Sequence, residues 1–206
     1  MKNALIVFAK NATLGKVKTR LAVDLGDEPT LKFYQDLMKM TRNECLKVEA
    51  DIHLFYSDEV IQNDIWTENK ITKHLQLPSK DLGERMIDAF LKLFKIGYKN
   101  VVIIGTDCPY LTSQTINNSF TQLSDNEIVV GPSKDGGFYL LGVKNTDHLN
   151  FSNITWSTNT VLSTYLKNCS NLKIEPRILK ILEDIDDIKS YNRYIKFTNS
   201  MNNNNL

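Results

Sequence analysis

The sequence predicts an α/β protein in which a mostly parallel sheet is layered with helices. Segments of apolar β-branched residues alternate along the chain with segments in which apolar residues recur at helical spacing. Residues 101–104 are four apolar β-branched residues without polar alternation, which is typical of a strand covered on both faces. The 206 residues suffice for one domain with a sizeable core, expected over residues 1–198.

The first part of the chain predicts a strand, a basic loop, a helix and a second strand. Residues 4–8 are the first buried strand, and a loop follows from Lys10 to Arg20. Thr30 is expected to cap the helix, and residues 52–56 are the next strand. The predicted apolar face of this helix consists of Leu31, Tyr34, Leu37, Met38, Thr41 and Cys45.

The remaining elements continue the alternation of helices and strands. After a polar stretch at 63–73, they are a helix from Gly83 to Gly97, the strand 101–104, a helix capped by Thr112 or Ser113, a strand from Ile128, a strand at 138–143, a short helix at 158–166 and an extended segment at 176–182. The asparagine-rich tail, residues 199–206, has nothing to bury and is expected to be disordered.

The composition excludes several classes of function. Lys and Arg number 25 against 24 Asp and Glu, so no global field favours a nucleic acid or another polyanion. The three cysteines are far apart and form no C-x-x-C pair, which argues against a zinc site and a disulfide framework. No apolar run approaches a membrane span and no signal cleavage site follows the first strand, so a cytoplasmic protein without a membrane partner is expected.

Asp107 follows the strand at 101–104, between Thr106 and a turn fixed by Pro109. Open α/β sheets bind ligands at the carboxyl ends of their strands. A carboxylate at this place could hold a divalent cation, but an aspartate in a turn could equally serve as a cap. This segment alone gives the two interpretations equal weight.

The loop after the first strand carries the cations Lys10, Lys16, Lys18 and Arg20, with Gly15 permitting a tight backbone path. Such side chains could converge on nucleotide phosphates, arginine by bidentate hydrogen bonds and lysine as a point charge. The loop has neither the P-loop spacing nor the glycine pattern of dinucleotide-binding folds. A run of charges is more often a solvated surface, but its position after the first strand favours phosphate binding.

These segments together resemble one family closely. The blocks that carry the likeness are residues 8–21 (FAKNATLGKVKTRL), 82–86 (LGERM), 105–109 (GTDCP), 131–142 (GPSKDGGFYLLG), 154–157 (ITWS) and 184–186 (DID). Over roughly residues 4–195 the chain resembles the DUF2064 family of GT-A-type glycosyltransferase-like proteins, which is related to the phospholactate guanylyltransferases. The resemblance implies a nucleotide-diphosphosugar-transferase (GT-A) fold in one domain, with helices on both faces of a mostly parallel twisted sheet.

The resemblance also implies a metal site for Mg²⁺ or Mn²⁺. Asp107 would be the metal aspartate of the GT-A fold, with Asp186 or Asp184 as a second ligand. Magnesium suits this arrangement because it takes oxygen ligands and is completed by substrate phosphates. Lys18 and Arg20 would support the charge that develops on the leaving diphosphate, and Thr106 would belong to the nucleotide site.

A second acidic turn predicts the acceptor side of the site. The glycines Gly136 and Gly137 allow close backbone approach, and Asp135 could orient an acceptor hydroxyl or accept its proton. The alternative is a glycine hairpin turn. Phe138 and Tyr139 follow directly and could wall an acceptor pocket.

Two further blocks have an open interpretation. Gly83, Glu84 and Arg85 could contact the base or ribose of a nucleotide, but the two charges also suit the first turn of a helix. Trp156 could line the acceptor pocket, although packing is the more common role of a single tryptophan.

Three functions remain open at this stage. The preferred one is a GT-A-like transferase that uses a nucleotide sugar and a small-molecule acceptor. The second is a nucleotidyltransferase that joins a nucleoside monophosphate to a small phosphorylated acceptor, and the third is a nucleotide-binding module without turnover. They separate by product, since sugar transfer releases a nucleoside diphosphate and nucleotidyl transfer releases pyrophosphate. The base, the sugar, the acceptor and the oligomeric state are left open.

Overall fold

The computed structural model describes residues 2–203, in which a seven-stranded sheet lies between two layers of helices. The strands are Asn3–Ala9 (β1), Asp51–Tyr56 (β2), Ile71–Leu75 (β3), Asn100–Ile104 (β4), Ile128–Pro132 (β5), Phe138–Val143 (β6) and Arg177–Ile178 (β7). The α-helices are Thr19–Leu25 (α1), Asp27–Cys45 (α2), Leu82–Lys95 (α3), Ser113–Asp125 (α4), Val161–Asn171 (α5) and Ile188–Asn203 (α6). A short 3₁₀ helix, Thr146–His148, follows β6.

The sheet is mostly parallel, as the sequence predicts. Its strand order is β3-β2-β1-β4-β6-β5-β7. The strands β1, β2, β3 and β4 pair in parallel, whereas β6 runs antiparallel to both of its neighbours, β4 and β5. Parallel neighbours need crossover connections; α2 lies in the connection from β1 to β2, and α3 leads from β3 back to β4 beside β1. The carboxyl ends of β1 and β4 therefore lie side by side at one edge of the sheet.

Successive side chains of β1 point into two separate cores, because side chains alternate across a strand. Leu5 and Val7 pack with apolar residues of α2 and α4 on one face. Ala4 and Ile6 pack with apolar residues of α3 and α5 on the other face. The prediction of helices on both faces is thus confirmed, and burial from both sides explains the uninterrupted apolar run of β4.

A helix that the sequence did not indicate begins at the end of the predicted basic loop. The short helix α1 begins at Thr19, is anchored by the buried Leu21 and ends at Leu25, before Gly26, which has a left-handed φ of 83°. The prediction that Thr30 caps the next helix is wrong. The helix α2 begins at Asp27 directly after Gly26, so Thr30 lies buried within it.

Other boundaries also differ from expectation. The stretch predicted as a polar connection ends in the strand β3, which is polar because it forms an edge of the sheet and buries only Ile71. The helix expected at 158–166 begins later, at Val161, and runs to Asn171. The extended segment expected at 176–182 contains β7 and a bridge from Leu182 to Ser133.

The helix α6 corrects the prediction of a disordered tail for residues 199–203. Its aromatic residues give the helix a packed face, since Tyr110 contacts the rings of Tyr194 and Phe197 edge-on. Residues 204–206 of the predicted tail lie outside the described residues. No helix within residues 2–203 combines the length and the apolar character needed to cross a membrane.

Candidate active site

A cavity of about 750 Å³ opens at the carboxyl ends of β1 and β4. Open α/β sheets bind ligands at such an edge. The cavity is enclosed by the loop after β1, the start of α3, the turn after β4, the β5–β6 turn and the segment before α6. The predicted site residues that line it are Lys10, Lys18, Arg20, Arg85, Thr106, Asp107, Asp135, Gly137, Phe138, Tyr139, Trp156, Asp184 and Asp186.

Lys18 lies at the centre of the charged part of this cavity. Its Nζ is 2.6 Å from Asp107 Oδ1 and 2.6 Å from Asp186 Oδ1, and its side chain is 4% exposed. The residue precedes α1 with a left-handed backbone, φ 48° and ψ 42°, which is uncommon for a lysine. Burial alone would lower the pKa of the ammonium group, but the two carboxylates outweigh burial and raise that pKa above its ordinary value. Lys18 is therefore a cation held between two anions.

The late acidic turn is joined to the end of β4 by the backbone. The Ile185 N–H donates to the Asp107 carbonyl over 3.0 Å, which brings Asp184 and Asp186 beside Asp107. Burial raises the pKa of Asp184 to about 7, and the nearby carboxylates, Asp107 first and then Asp135 and Asp186, act in the same direction. The Oδ1 atom of Asp184 is buried and has no hydrogen-bond partner.

These carboxylates fit a divalent cation that a substrate completes. An orphaned buried oxygen on Asp184 and the mutual repulsion of neighbouring carboxylates both favour a positive ion. Within the described part of the chain, no group of three His, Cys, Asp or Glu side chains forms a metal cage by itself. Magnesium commonly takes one or two carboxylates and completes its coordination with water and substrate phosphates, so Asp107 and Asp186 could serve as its protein ligands.

Tyr34 joins the ends of β1 and β4 from below the cavity. Its hydroxyl accepts the Lys10 N–H over 3.0 Å, donates to the Lys10 carbonyl over 3.1 Å and lies 3.1 Å from Thr106 Oγ1. Burial, with the charge of Asp107, raises the pKa of Tyr34 to about 12, so the phenol stays protonated. The sequence predicts Tyr34 only as a core residue, because its helical spacing carries no sign of a polar role.

The start of α3 contributes a second basic region to the cavity. Arg85 donates from Nη1 to Gln76 Oε1 over 3.0 Å, and Gln76 donates from Nε2 to the Phe55 carbonyl over 2.9 Å. Gln76 and Lys80 also line the cavity but were not predicted, because they belong to no motif block.

Four residues of the predicted nucleotide site, and Gly136 of the predicted acceptor pocket, do not line the cavity. Glu84 accepts a hydrogen bond from Ser79 Oγ and belongs to the cap of α3. Gly83 packs so closely that a Cβ there would lie 3.0 Å from the ring of Trp156. Gly15 provides a left-handed turn with φ 71°, and Lys16 is exposed.

On the side where an acceptor pocket was predicted, the β5–β6 connection is a hairpin turn that also forms part of the cavity wall. Asp135 Oδ1 accepts the Gly137 N–H over 2.8 Å and so closes a hairpin turn, while Asp135 also lines the cavity. The rings of Phe138 and Trp156 meet edge-on at 6.4 Å, so Trp156 packs and lines the cavity at once. Tyr139 is 4% exposed and donates its hydroxyl to the Lys180 carbonyl.

Comparison with protein families assigns the chain to one of them. A family model described as an uncharacterized protein conserved in bacteria (DUF2064) matches residues 41–158. The chain belongs to the DUF2064 family. The matched region of this DUF2064 protein includes Asp107, Asp135 and Trp156, whereas Lys18 and Asp186 lie outside it. No curated protein matches the chain.

Solved structures confirm the fold of this DUF2064 protein. A protein from Desulfovibrio desulfuricans G20, provisionally named a nucleotide-diphospho-sugar transferase, is 26% identical with a TM-score of 0.80 over 91% of this chain and 84% of its own. The 4-diphosphocytidyl-2C-methyl-D-erythritol synthase of Anaerococcus prevotii DSM 20548 is 12% identical with a TM-score of 0.62, over 95% of this chain and 96% of its own. Rv0371c from Mycobacterium tuberculosis H37Rv, solved in complex with manganese, is 13% identical with a TM-score of 0.58, over 94% of this chain and 97% of its own. The chain therefore has the fold of the nucleotide-diphospho-sugar transferases, and its similarity to the Desulfovibrio protein supports a transferase.

Proposed function

We propose that this DUF2064 protein is a metal-dependent transferase that uses a nucleotide-activated donor, with a nucleotide sugar as the preferred donor. The observation that carries the proposal is the cluster in which Lys18 joins Asp107 to Asp186 inside a cavity at the strand ends. The cluster combines cationic groups suited to phosphates with carboxylates suited to a metal ion.

On the donor side, the loop after β1 supplies the positive charge. Lys10, Lys18 and Arg20 all line the cavity and would bind donor phosphates, arginine through its fork of N–H groups. Asp107 and Asp186, with Asp184 behind them, would hold Mg²⁺ or Mn²⁺. The bound ion would neutralise the charge that develops on the leaving phosphate group.

The acceptor would bind on the opposite side of Asp107. The strand β4 lies between β1 and β6, so the β5–β6 turn faces the loop after β1 across the end of β4. Asp135 would orient an acceptor hydroxyl and take its proton, and Phe138 and Trp156 would enclose the acceptor between aromatic rings. Transfer would then proceed directly, with no covalent protein intermediate required.

The shape of the basic loop supports a diphosphate donor. Loops that wrap a triphosphate use several glycines, whose backbone N–H groups can turn towards the phosphates. Between Phe8 and Leu21 this loop has Gly15 alone, and Gly15 lies outside the cavity wall. Side-chain cations, rather than backbone amides, are therefore the main phosphate ligands here.

Nucleotidyl transfer is a second candidate. The specific observation that favours it is the similarity to the Anaerococcus synthase, which extends over 95% of this chain. In that reaction a nucleoside monophosphate would pass to a small phosphorylated acceptor, and pyrophosphate would leave.

A two-stage experiment tests the proposal. Thermal-shift measurements with Mn²⁺ would compare nucleoside triphosphates, nucleoside diphosphates and nucleotide sugars, because a ligand of the folded state raises the melting temperature. The best donors would then be incubated with candidate acceptors. Release of a nucleoside diphosphate supports sugar transfer, and release of pyrophosphate supports nucleotidyl transfer. Nucleotide binding without either product would indicate a nucleotide-binding module without turnover.

A further inference from the structure

We infer that the ammonium group of Lys18 occupies the divalent-cation position in the free protein, so that the metal binds only together with the donor phosphates. This inference rests on the proposed function, because it assigns the order in which metal and donor enter that same site.

The geometry around Lys18 carries the inference. The Nζ atom bridges Asp107 and Asp186 at 2.6 Å each, which is the length of a strong charge-assisted hydrogen bond. The lysine side chain is 4% exposed, whereas the side chains of Asp107 and Asp186 are 44% and 47% exposed. The lysine therefore lies beneath the two carboxylates and offsets part of their negative charge from the protein side.

A divalent ion would compete with this ammonium group. An ion that coordinates the oxygen atoms now bonded to Lys18 would lie next to Nζ, and two cations at such a distance repel each other. Asp184 does not offer a second complete site, since no three acidic, His or Cys side chains of the described residues form a metal cage. In the free protein the carboxylates are thus already paired.

Donor phosphates provide the route by which Lys18 leaves the carboxylates. The ammonium group lies at the end of a flexible four-carbon side chain. Phosphate oxygens facing Lys10 and Arg20 would offer it negative charge in place of the two carboxylates. Asp107 and Asp186, released from Lys18, would then be free to hold the metal beside the same phosphates. Because thermodynamic coupling is reciprocal, the metal and the donor would raise each other's affinity by the same factor.

Manganese binding to matched variants tests this order. Protein-bound Mn²⁺ would be measured by electron paramagnetic resonance, first with Mn²⁺ alone and then with UDP, GDP, CDP or ADP present. Lys18→Met should bind Mn²⁺ alone at least tenfold more tightly than the parent, which corresponds to about 1.4 kcal/mol. With a suitable nucleoside diphosphate, the parent should gain at least tenfold in Mn²⁺ affinity, and Lys18→Met should gain less.

Lys73→Met is the matched control, because Lys73 is also a largely buried lysine paired with one aspartate, Asp64, at 2.7 Å outside this cavity. It should bind Mn²⁺ alone as weakly as the parent does. Lys18→Gln, which keeps hydrogen bonds but not the charge, replaces Lys18→Met if that variant melts below the assay temperature. Lys18→Arg keeps the cation and should keep Mn²⁺ binding weak.

The measurement with Mn²⁺ alone tests the inference about Lys18, and the measurement with a nucleoside diphosphate tests the proposed function. Equal affinity of the parent and both uncharged variants for Mn²⁺ alone would overturn the inference and leave the proposed function standing. If no nucleoside diphosphate raises Mn²⁺ binding to the parent, the proposed function fails, while the Mn²⁺-only comparison still decides the role of Lys18.

Discussion

Gly136 lies against the backbone of Asn159 so closely that a Cβ at residue 136 would be 2.2 Å from the Asn159 carbonyl oxygen. The Gly136 carbonyl also accepts the Leu162 N–H over 2.8 Å, which fixes the start of α5 to the β5–β6 turn. Gly136 itself does not line the cavity, but it holds Asn159, which does. Gly136 thus shapes this wall of the cavity from behind.

Gly136→Ala is expected to destabilise the protein by roughly 1 to 3 kcal/mol, because the new methyl group meets backbone atoms that no side-chain rotation can move. Urea unfolding measures the change. Gly97→Ala is the control, since Gly97 also has a positive φ but no atom within 4 Å of the added Cβ. Equal losses of unfolding free energy in the two variants would show that backbone strain, and not the contact with Asn159, excludes a side chain at residue 136.

Asp107→Asn is expected to abolish metal-dependent nucleotide binding and to leave the fold intact, because the amide keeps the shape of the side chain but not its charge. Isothermal titration with Mn²⁺ and a nucleotide measures the loss. Asp125→Asn, at the exposed end of α4, should bind as the parent does. Parent-like binding by Asp107→Asn would make Asp107 a structural turn residue.

Arg20→Met is expected to weaken nucleotide binding, and the loss should grow with the number of phosphates. Each lost charge-assisted contact should cost roughly 1.5 to 3 kcal/mol of binding free energy. Arg20 forms no ion pair with any residue in 2–203, so its charge is available to a ligand. Competition titrations with a nucleoside and its mono- and diphosphate measure the trend. Lys32→Met, on the exposed side of α2, should leave all three affinities unchanged. If nucleoside binding weakens as much as diphosphate binding, Arg20 acts by shaping the loop.

Stability is expected to fall in mild acid because of His53. Its ring nitrogens lie 3.0 Å from His74 Nε2 and 3.0 Å from the Tyr98 hydroxyl. Burial lowers the pKa of His53 from 6.5 to about 4, and the charges of His74 and Lys2 act in the same direction, against Asp51. The unfolded chain therefore binds more protons between these two values. The free energy of unfolding is highest above pH 6.5 and decreases as the pH falls towards 4.

Urea unfolding at a series of pH values checks this slope. His53→Asn should flatten the dependence in that window, whereas His148→Asn, outside the His53 cluster, should keep it. An unchanged slope in His53→Asn would assign the acid sensitivity to other groups.

Most of the elements, in their order, and the edge of the sheet at which the cavity opens could be predicted from the sequence. Apolar runs such as 101–104 mark strands that are buried on both faces, and a residue after such a strand must lie at the carboxyl edge. The polar edge strand β3 could not be predicted, because only Ile71 is buried and the strand has no apolar pattern. The helix α1 could not be predicted either, because its seven residues bury Leu21 alone and show no helical periodicity of apolar residues.

The contacts within the site could not be predicted in the same way. The resemblance implies that Lys18 meets phosphates and that Asp107, with Asp186 or Asp184, meets a metal, but not that the lysine joins Asp107 to Asp186. That contact depends on a left-handed backbone at a non-glycine residue, which local sequence does not indicate. Gln76 and Lys80 reach the cavity through tertiary packing of the segment between β3 and α3.

The ion pair between Lys18 and Asp186 joins side chains that are 168 positions apart. Closing so long a loop in an unfolded chain costs more entropy than forming a helix or a neighbouring strand pair. The pair is therefore expected to form after the strands between its two partners have assembled. A folding intermediate with native helices but without the last acidic turn would lack Asp184 and Asp186 beside Asp107. Under the proposed function, the recovery of nucleotide binding would therefore measure complete refolding.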